Sequence, residues 1–246
     1  MVHIPPRPAL LSWQAGPPGF AAELVVKWSF LTSPRVDLWF VPLDEVSARE
    51  GVRRYQQWLN PEERHRSDRF KFAWLRERFI VTRGILRQLM GFYRDQSPDQ
   101  VDFIYSDRGK PHALPAAGQA PLYFNLSHAH HYALYGFSPC PLGVDLELAG
   151  KQRDGFGIAQ RFFAPQEQAV LAQAPPSSQE ITFLRHWVCK EAVLKATGEG
   201  LAGSLQNTVI AFSPQLHLNA PQCPDLILQE VTPSLKTIAA VALLLS

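Results

Sequence analysis

The chain has 246 residues, of which 46% are hydrophobic, and a formal net charge of +2. That length suits one large or two small globular domains, each able to bury a core. So small a net charge excludes binding to nucleic acid by bulk charge, and any electrostatic function must come from local clusters.

Residues 1–35, with Pro5, Pro6, Pro8, Pro17 and Pro18, read as an irregular N-terminal arm. They lack the basic start and apolar block of a secretion signal. Val36–Val41 alternates as a strand does. Asn60, Pro61, Glu62 and Glu63 form a helix start: N-cap, proline at the first position, acids in the first turn. A helix from about Ala73 to Met90 carries Leu75, Phe79, Leu86 and Met90 as a core stripe. Val101–Tyr105 is a second strand, and Ser106–Pro111 a turn. Tyr123–Ser127 and Tyr132–Phe137 form a hairpin around His128–His131. Ser138-Pro139-Cys140-Pro141 is the best linker. Beyond it the pattern predicts a strand at Gly143–Leu148 and helices near Ile158–Phe163 and Pro165–Ala172. A Pro-Pro-Ser-Ser loop at 175–178 precedes a long helix at Gln179–Thr197. Strands follow near Val209–Phe212, Leu226–Val231 and Ile238–Leu245. Two α+β units at 36–140 and 141–246 fit this order, which is not the regular strand–helix alternation of a doubly wound sheet.

Cys140, Cys189 and Cys223 cannot all pair and form no Cys-x-x-Cys. That favours a reducing, cytoplasmic setting over a disulfide scaffold or a zinc site, with Cys189 in a helix core. No apolar run reaches the roughly 20 residues that a membrane span needs.

The chemistry concentrates in two motifs. In Gly143-Val144-Asp145-Leu146-Glu147 the two acids share one strand face while the aliphatics point inward. Carboxylates so placed suit a hard cation such as Mg²⁺ together with substrate phosphates, or simply a solvated polar face. In Trp187-x-x-Lys190-Glu191-Ala192-x-x-Lys195, Glu191 and Lys195 are i, i+4 and adjoin on a helix. Phe183, Trp187 and Leu194 bring that helix near a core, and Gly198 and Gly200 end it in a turn that lets backbone approach a ligand.

Arg69, Arg76, Arg83 and Arg87 fall in one helical row, with Arg78 on another face and Arg64, His65 and Arg66 just before. The row suits a solvated basic face, or a wall of guanidinium forks on phosphate oxygens; a nucleic-acid surface is the poorest fit, with no recognised motif. Gly109-Lys110-Pro111 is a rigid turn presenting a lysine. Asn125-Leu126-Ser127-His128 puts a hydroxyl and an imidazole at a strand end. Ser127 and His128 point to opposite faces and so make no hydrolase dyad; His130 and His131 have no assignable role.

These residues together resemble the 4′-phosphopantetheinyl transferases of the surfactin-synthetase type. The match runs through Gly109-Lys110-Pro111, Phe124–His128, Gly143–Glu147, Arg161-Phe162-Phe163 and Trp187–Lys195, in that order, and covers roughly Val36 to the C-terminus. The resemblance implies two similar α+β subdomains related by a pseudo-twofold axis, with coenzyme A in the cleft between them. It implies a monomer that transfers the phosphopantetheine arm to a serine of an acyl or peptidyl carrier protein and releases 3′,5′-ADP. Asp145, Glu147 and Glu191 would be Mg²⁺ ligands. Arg66, Arg69, Arg78, Lys110, Ser127 and His128 would hold the adenosine phosphates, and Lys190 and Lys195 would meet phosphate oxygens. Glu191, or a metal-bound water that it orients, would take the serine proton, with Asp145 and Lys195 beside it. Glu167 matches a family acid of unassigned role. Lys151, Arg153 and Arg161 around Phe156 would meet the acidic carrier. Two rivals are a Mg²⁺-dependent nucleotide hydrolase on the same scaffold and a non-enzymatic coenzyme A-binding regulator of carrier proteins; a mere binder would not need three acids and two lysines.

Overall fold

The structure is a computed structural model and describes residues 26–30, 35–105, 111–113, 120–151, 153–198, 205–212 and 215–245. The described elements begin with β1 (Val26–Phe30), β2 (Val36–Pro42), α1 (Leu43–Glu50), α2 (Val52–Gln56), α3 (Pro61–Asp68) and α4 (Ala73–Arg94). Next come β3 (Phe103–Tyr105), β4 (Pro111–Ala113), β5 (Tyr123–Ala129), β6 (Tyr132–Ser138) and β7 (Leu142–Leu148). The chain continues with α5 (Gly155–Phe162), α6 (Pro165–Gln173), α7 (Pro176–Thr197), β8 (Val209–Ala211), β9 (His217–Asn219), β10 (Leu226–Val231) and β11 (Thr237–Leu244). Antiparallel sheets with helices packed on their outer faces make an α+β fold.

Two sheets carry the architecture. The first has the order β1-β2-β6-β5 and the second β10-β11-β7. Strand alternation sorts their side chains into layers. Trp39, Val41, Tyr135 and Phe137 face α4 and pack with its Ile85, Leu86 and Leu89. The intervening Leu38, Phe40 and Leu134 face the second sheet and meet Val144, Leu146, Val241 and Leu243. On the far side, Ala240 and Ala242 pack under Val188, Ala192 and Val193 of α7. The sequence is therefore stacked as helix, sheet, sheet, helix. β2 and β11, covered on both faces, are apolar along most of their length.

Several boundaries differ from the sequence reading. Val26–Phe30 lies within the arm read as irregular, yet it pairs antiparallel with β2 across the full register Val26–Phe40 to Phe30–Val36; the remainder of residues 1–25 and 31–34 is outside the described residues. The Pro-Pro-Ser-Ser segment is not a loop throughout, since α7 begins at Pro176, where a proline at the first helical position loses no hydrogen bond. The predicted α3 start is present as a capping box: Asn60 Oδ1 accepts from the Glu63 N–H at 2.8 Å and Glu63 Oε2 accepts from the Asn60 N–H at 3.1 Å.

Candidate active site

The acid strand is brought against α7 by a single glycine. A Cβ at Gly143 would collide with the Ala192 carbonyl and the Ala196 N–H, so only glycine lets β7 and α7 approach backbone to backbone. Val144 and Leu146 then enter the inter-sheet core, and alternation turns Asp145 and Glu147 to the opposite face. Glu191 and Lys195, half-buried and one turn apart on α7, approach from the helix side. α7 ends as expected at Gly198, whose left-handed backbone (φ 77°) lets its N–H reach the Leu194 carbonyl.

Asp145 is the centre of this cluster. It is 6% exposed. Its Oδ1 lies 2.6 Å from Lys195 Nζ and accepts the Ser127 hydroxyl at 2.9 Å. Lys195 Nζ also donates to the Val144 carbonyl at 3.1 Å. Asp145 Oδ2 is buried with no hydrogen-bond partner. Burial, and then the charge of Asp145, push the Glu191 carboxyl above its ordinary range, against the pull of Lys195. The Glu147 carboxyl is also raised by burial, opposed by Arg153, whose guanidinium forms an ion pair with it. Arg153 Nη1 donates in addition to the Leu148 carbonyl at 3.1 Å. Among the described residues no three His, Cys, Asp or Glu side chains form a ready-made metal-binding group. The fit to a cation rests instead on a buried carboxylate oxygen with nothing to accept from, beside two carboxyls strained by their surroundings.

Lys190 is a correction. It is 0% exposed and forms an ion pair with Glu167 Oε2 at 2.8 Å. Its ammonium also donates to the Leu205 carbonyl at 2.7 Å and to the Thr208 carbonyl. Three acceptors satisfy all three of its protons, so it is withdrawn as a phosphate contact. Glu167 acquires the role that sequence left open. Its Oε2 accepts from the Ala164 N–H at 2.7 Å, starting α6, and its Oε1 accepts from the Ile210 N–H at 2.7 Å. The pair thus ties α6, α7 and β8 together. Cys189, next in the chain, is fully buried and its thiol is pushed well up by burial, which makes it a core residue and not a nucleophile.

The basic residues of the first half divide three ways. Arg66, Arg78 and His128 line a cavity of about 410 Å³ with Phe70, Leu75 and Phe79. Leu75 and Phe79 are therefore half-buried cavity wall, while Leu86 and Met90 are fully buried, as the core stripe predicts. Arg78 lies over the exposed Trp74, 5.0 Å from its ring centre, and Arg66 lies 5.4 Å from the Phe79 ring. Arg69 is exposed on a second groove, with Pro61, His65 and Arg66. The remaining row is structural. Arg76 pairs with Asp68 at 2.7 Å, and Arg83 and Arg87 each pair with buried Glu63 at 2.7 Å. Arg87 is 0% exposed and also donates to the Val101 carbonyl at 2.8 Å, so of the row read from the periodicity only Arg83 lines the cavity, with its guanidinium paired to Glu63. Lys110 lies outside the described residues. Ser127 is buried in the seam between the sheets, not open to the cavity.

Lys151, Phe156 and Arg161 are exposed, whereas Arg153 is half-buried on Glu147. Lys151, Arg153 and Phe156 line a hollow of about 300 Å³. It also contains Glu180, whose Oε1 accepts from the Gly150 and Lys151 N–H groups at 2.9 and 3.1 Å. None of the described helices is long and apolar enough to cross a membrane, and the three cysteines are free.

An arginine-rimmed cavity and a cluster of crowded, under-satisfied acids are features suited to a phosphorylated ligand and a cation. Comparison with known proteins sharpens that reading. Residues 141–229 match the model of the 4′-phosphopantetheinyl transferase superfamily. The chain is 38% identical to the 4′-phosphopantetheinyl transferase HetI of Nostoc sp. over 86% of its own length and 89% of the relative's. It is 34% identical to a putative 4′-phosphopantetheinyl transferase of Synechocystis sp., over 72% and 70% of the two chains. It is 26% identical to Sfp of Bacillus subtilis, over 71% and 74%. The chain belongs to the 4′-phosphopantetheinyl transferase superfamily, and it is a transferase.

Proposed function

We propose that the protein transfers the 4′-phosphopantetheine group of coenzyme A to a serine hydroxyl of an apo acyl or peptidyl carrier protein, with Mg²⁺, and releases 3′,5′-ADP. The observation that carries this reading is the acid cluster: Asp145 Oδ2 is buried without a partner while Glu191 lies above its ordinary range beside it. Asp145 and Glu191 would hold the cation; Glu147, occupied here by Arg153, is the third candidate. When bound, Mg²⁺ supplies charge neutralisation on the diphosphate. The rest of the chemistry falls to the chain. Arg66, Arg78 and His128 give the adenosine phosphates a charged rim over an apolar wall. Lys110 and Arg69 stay as candidates for the same phosphates. Lys195 stabilises the negative charge that grows on the departing 3′,5′-ADP.

In the reaction the serine oxygen forms a bond to the phosphorus that bears the pantetheine. The bond from that phosphorus to the bridging oxygen breaks, and its electrons leave with 3′,5′-ADP. The serine proton goes to Glu191, directly or through a water. A carboxylate that also holds the cation has a lowered proton affinity, so the route through a water is at least as well supported as direct transfer. Lys151, Phe156 and Arg161 remain the docking candidates for an acidic carrier, with the units at 36–140 and 141–246 flanking the ligand and one chain sufficient for activity. We place the protein in the cytoplasm, where such carriers are made.

Incubation of the protein with coenzyme A, Mg²⁺ and apo-carrier tests the reading. A transferase adds the mass of one phosphopantetheine group to the carrier. A hydrolase consumes coenzyme A with the carrier unchanged, and a regulator changes neither.

A further inference from the structure

We propose that Ser127 is a positioning residue of the acid site, which fixes the oxygen of Asp145 left available to a cation. The inference rests on the transferase reading above and assigns Ser127 away from the coenzyme A pocket. β5 and β7 are edge strands of different sheets and share no backbone ladder. They are joined by side chains. Asn125 Oδ1 accepts from the Val144 N–H at 2.9 Å, and Ser127 Oγ accepts from the Leu146 N–H at 3.3 Å. Asn125 and Ser127 are two apart and so share a face of β5, and they satisfy two interior N–H groups that the sheet leaves open.

Ser127 has one proton to donate, and it goes to Asp145 Oδ1 at 2.9 Å. A phosphate oxygen can only accept, so that proton is not available to the ligand. The same bond, with Lys195 on the same oxygen, holds the carboxylate with Oδ2 buried and unpartnered. The next residue, His128, points the other way, is exposed, and lines the basic cavity. Two consecutive residues of one strand thus serve two subsites: His128 faces the ligand phosphates and Ser127 holds the acid in register behind them.

The test compares wild type, Ser127→Ala and Arg78→Ala in two titrations: coenzyme A by calorimetry in EDTA, and Mn²⁺, as a paramagnetic stand-in for Mg²⁺, at saturating coenzyme A. Ser127→Ala is expected to weaken Mn²⁺ about tenfold, the usual effect of losing a hydrogen bond behind a metal ligand, and to leave coenzyme A affinity within about twofold. Arg78→Ala is expected to do the reverse. Should the alanine variant unfold by circular dichroism, Ser127→Cys, which keeps the volume and weakens the donor, replaces it with the same expectation. Unchanged Mn²⁺ affinity, or coenzyme A affinity lost in EDTA, overturns the assignment. Wild-type protein that binds Mn²⁺ and coenzyme A yet adds no mass to any apo-carrier overturns the transferase reading instead.

Discussion

Lys190 and Glu191 are neighbours in the chain and opposites in setting. Lys190 points inward, fully buried, with Glu167 and two carbonyls taking all its protons. Glu191 points to β7, half-buried, pushed up by burial and by Asp145. A buried charge whose partners are complete specifies a fold. A charge cluster left incomplete, with Asp145 Oδ2 lacking any partner, stores unfavourable electrostatics that a ligand can relieve. One face of α7 is thus architecture, and the other is the face we propose for chemistry.

Breaking the chemical face should have the largest effect on turnover. Glu191→Ala is expected to reduce transfer to carrier about a thousandfold, the loss of roughly 4 kcal/mol of charge stabilisation, while thermal unfolding remains cooperative. Breaking the architectural face should act on stability. Lys190→Met leaves Glu167 buried and unpaired, and chemical denaturation is expected to show a loss of about 3–5 kcal/mol; the double variant with Glu167→Gln recovers part of it. In the basic cavity, Arg78→Ala is expected to raise the KM for coenzyme A about tenfold, from one lost charge-assisted hydrogen bond, with kcat nearly unchanged.

The smallest effect is on the pH dependence of stability. The Glu191 carboxyl is raised in the folded protein, so the fold favours its protonated form. Its contribution is full below the unfolded pKa and is lost as pH rises through the folded one. Glu191→Gln should therefore raise the melting temperature of metal-free protein at pH 7 and leave it nearly unchanged at pH 4. Equal shifts at both pH values would mean that the carboxyl is not strained.

What was legible in the sequence followed local periodicity. Asp145 and Glu147 could be placed on one face by alternation, and Glu191 and Lys195 on one helix face by their spacing. The α3 start was visible because its N-cap Asn60, Pro61 and the acids of its first turn are neighbours in the chain. What escaped depended on distant partners. Lys190 looked like a second phosphate lysine because nothing local says that Glu167, on another helix, will bury it. Arg87 looked like part of a basic row because Glu63 meets it across α3 and α4. The bonds of Ser127 to Asp145 and to the Leu146 N–H were not legible because the seam between β5 and β7 is made by side chains across two sheets. β1 was missed because its pairing with β2 follows a proline-rich stretch.

The most direct test is the mass of an apo-carrier after incubation with coenzyme A, Mg²⁺ and either wild-type protein or Asp145→Asn, a change that keeps the shape and removes the charge. The account predicts one added phosphopantetheine group with wild type and none with the variant at equal folded concentration. Carrier modified by Asp145→Asn at the wild-type rate would contradict it.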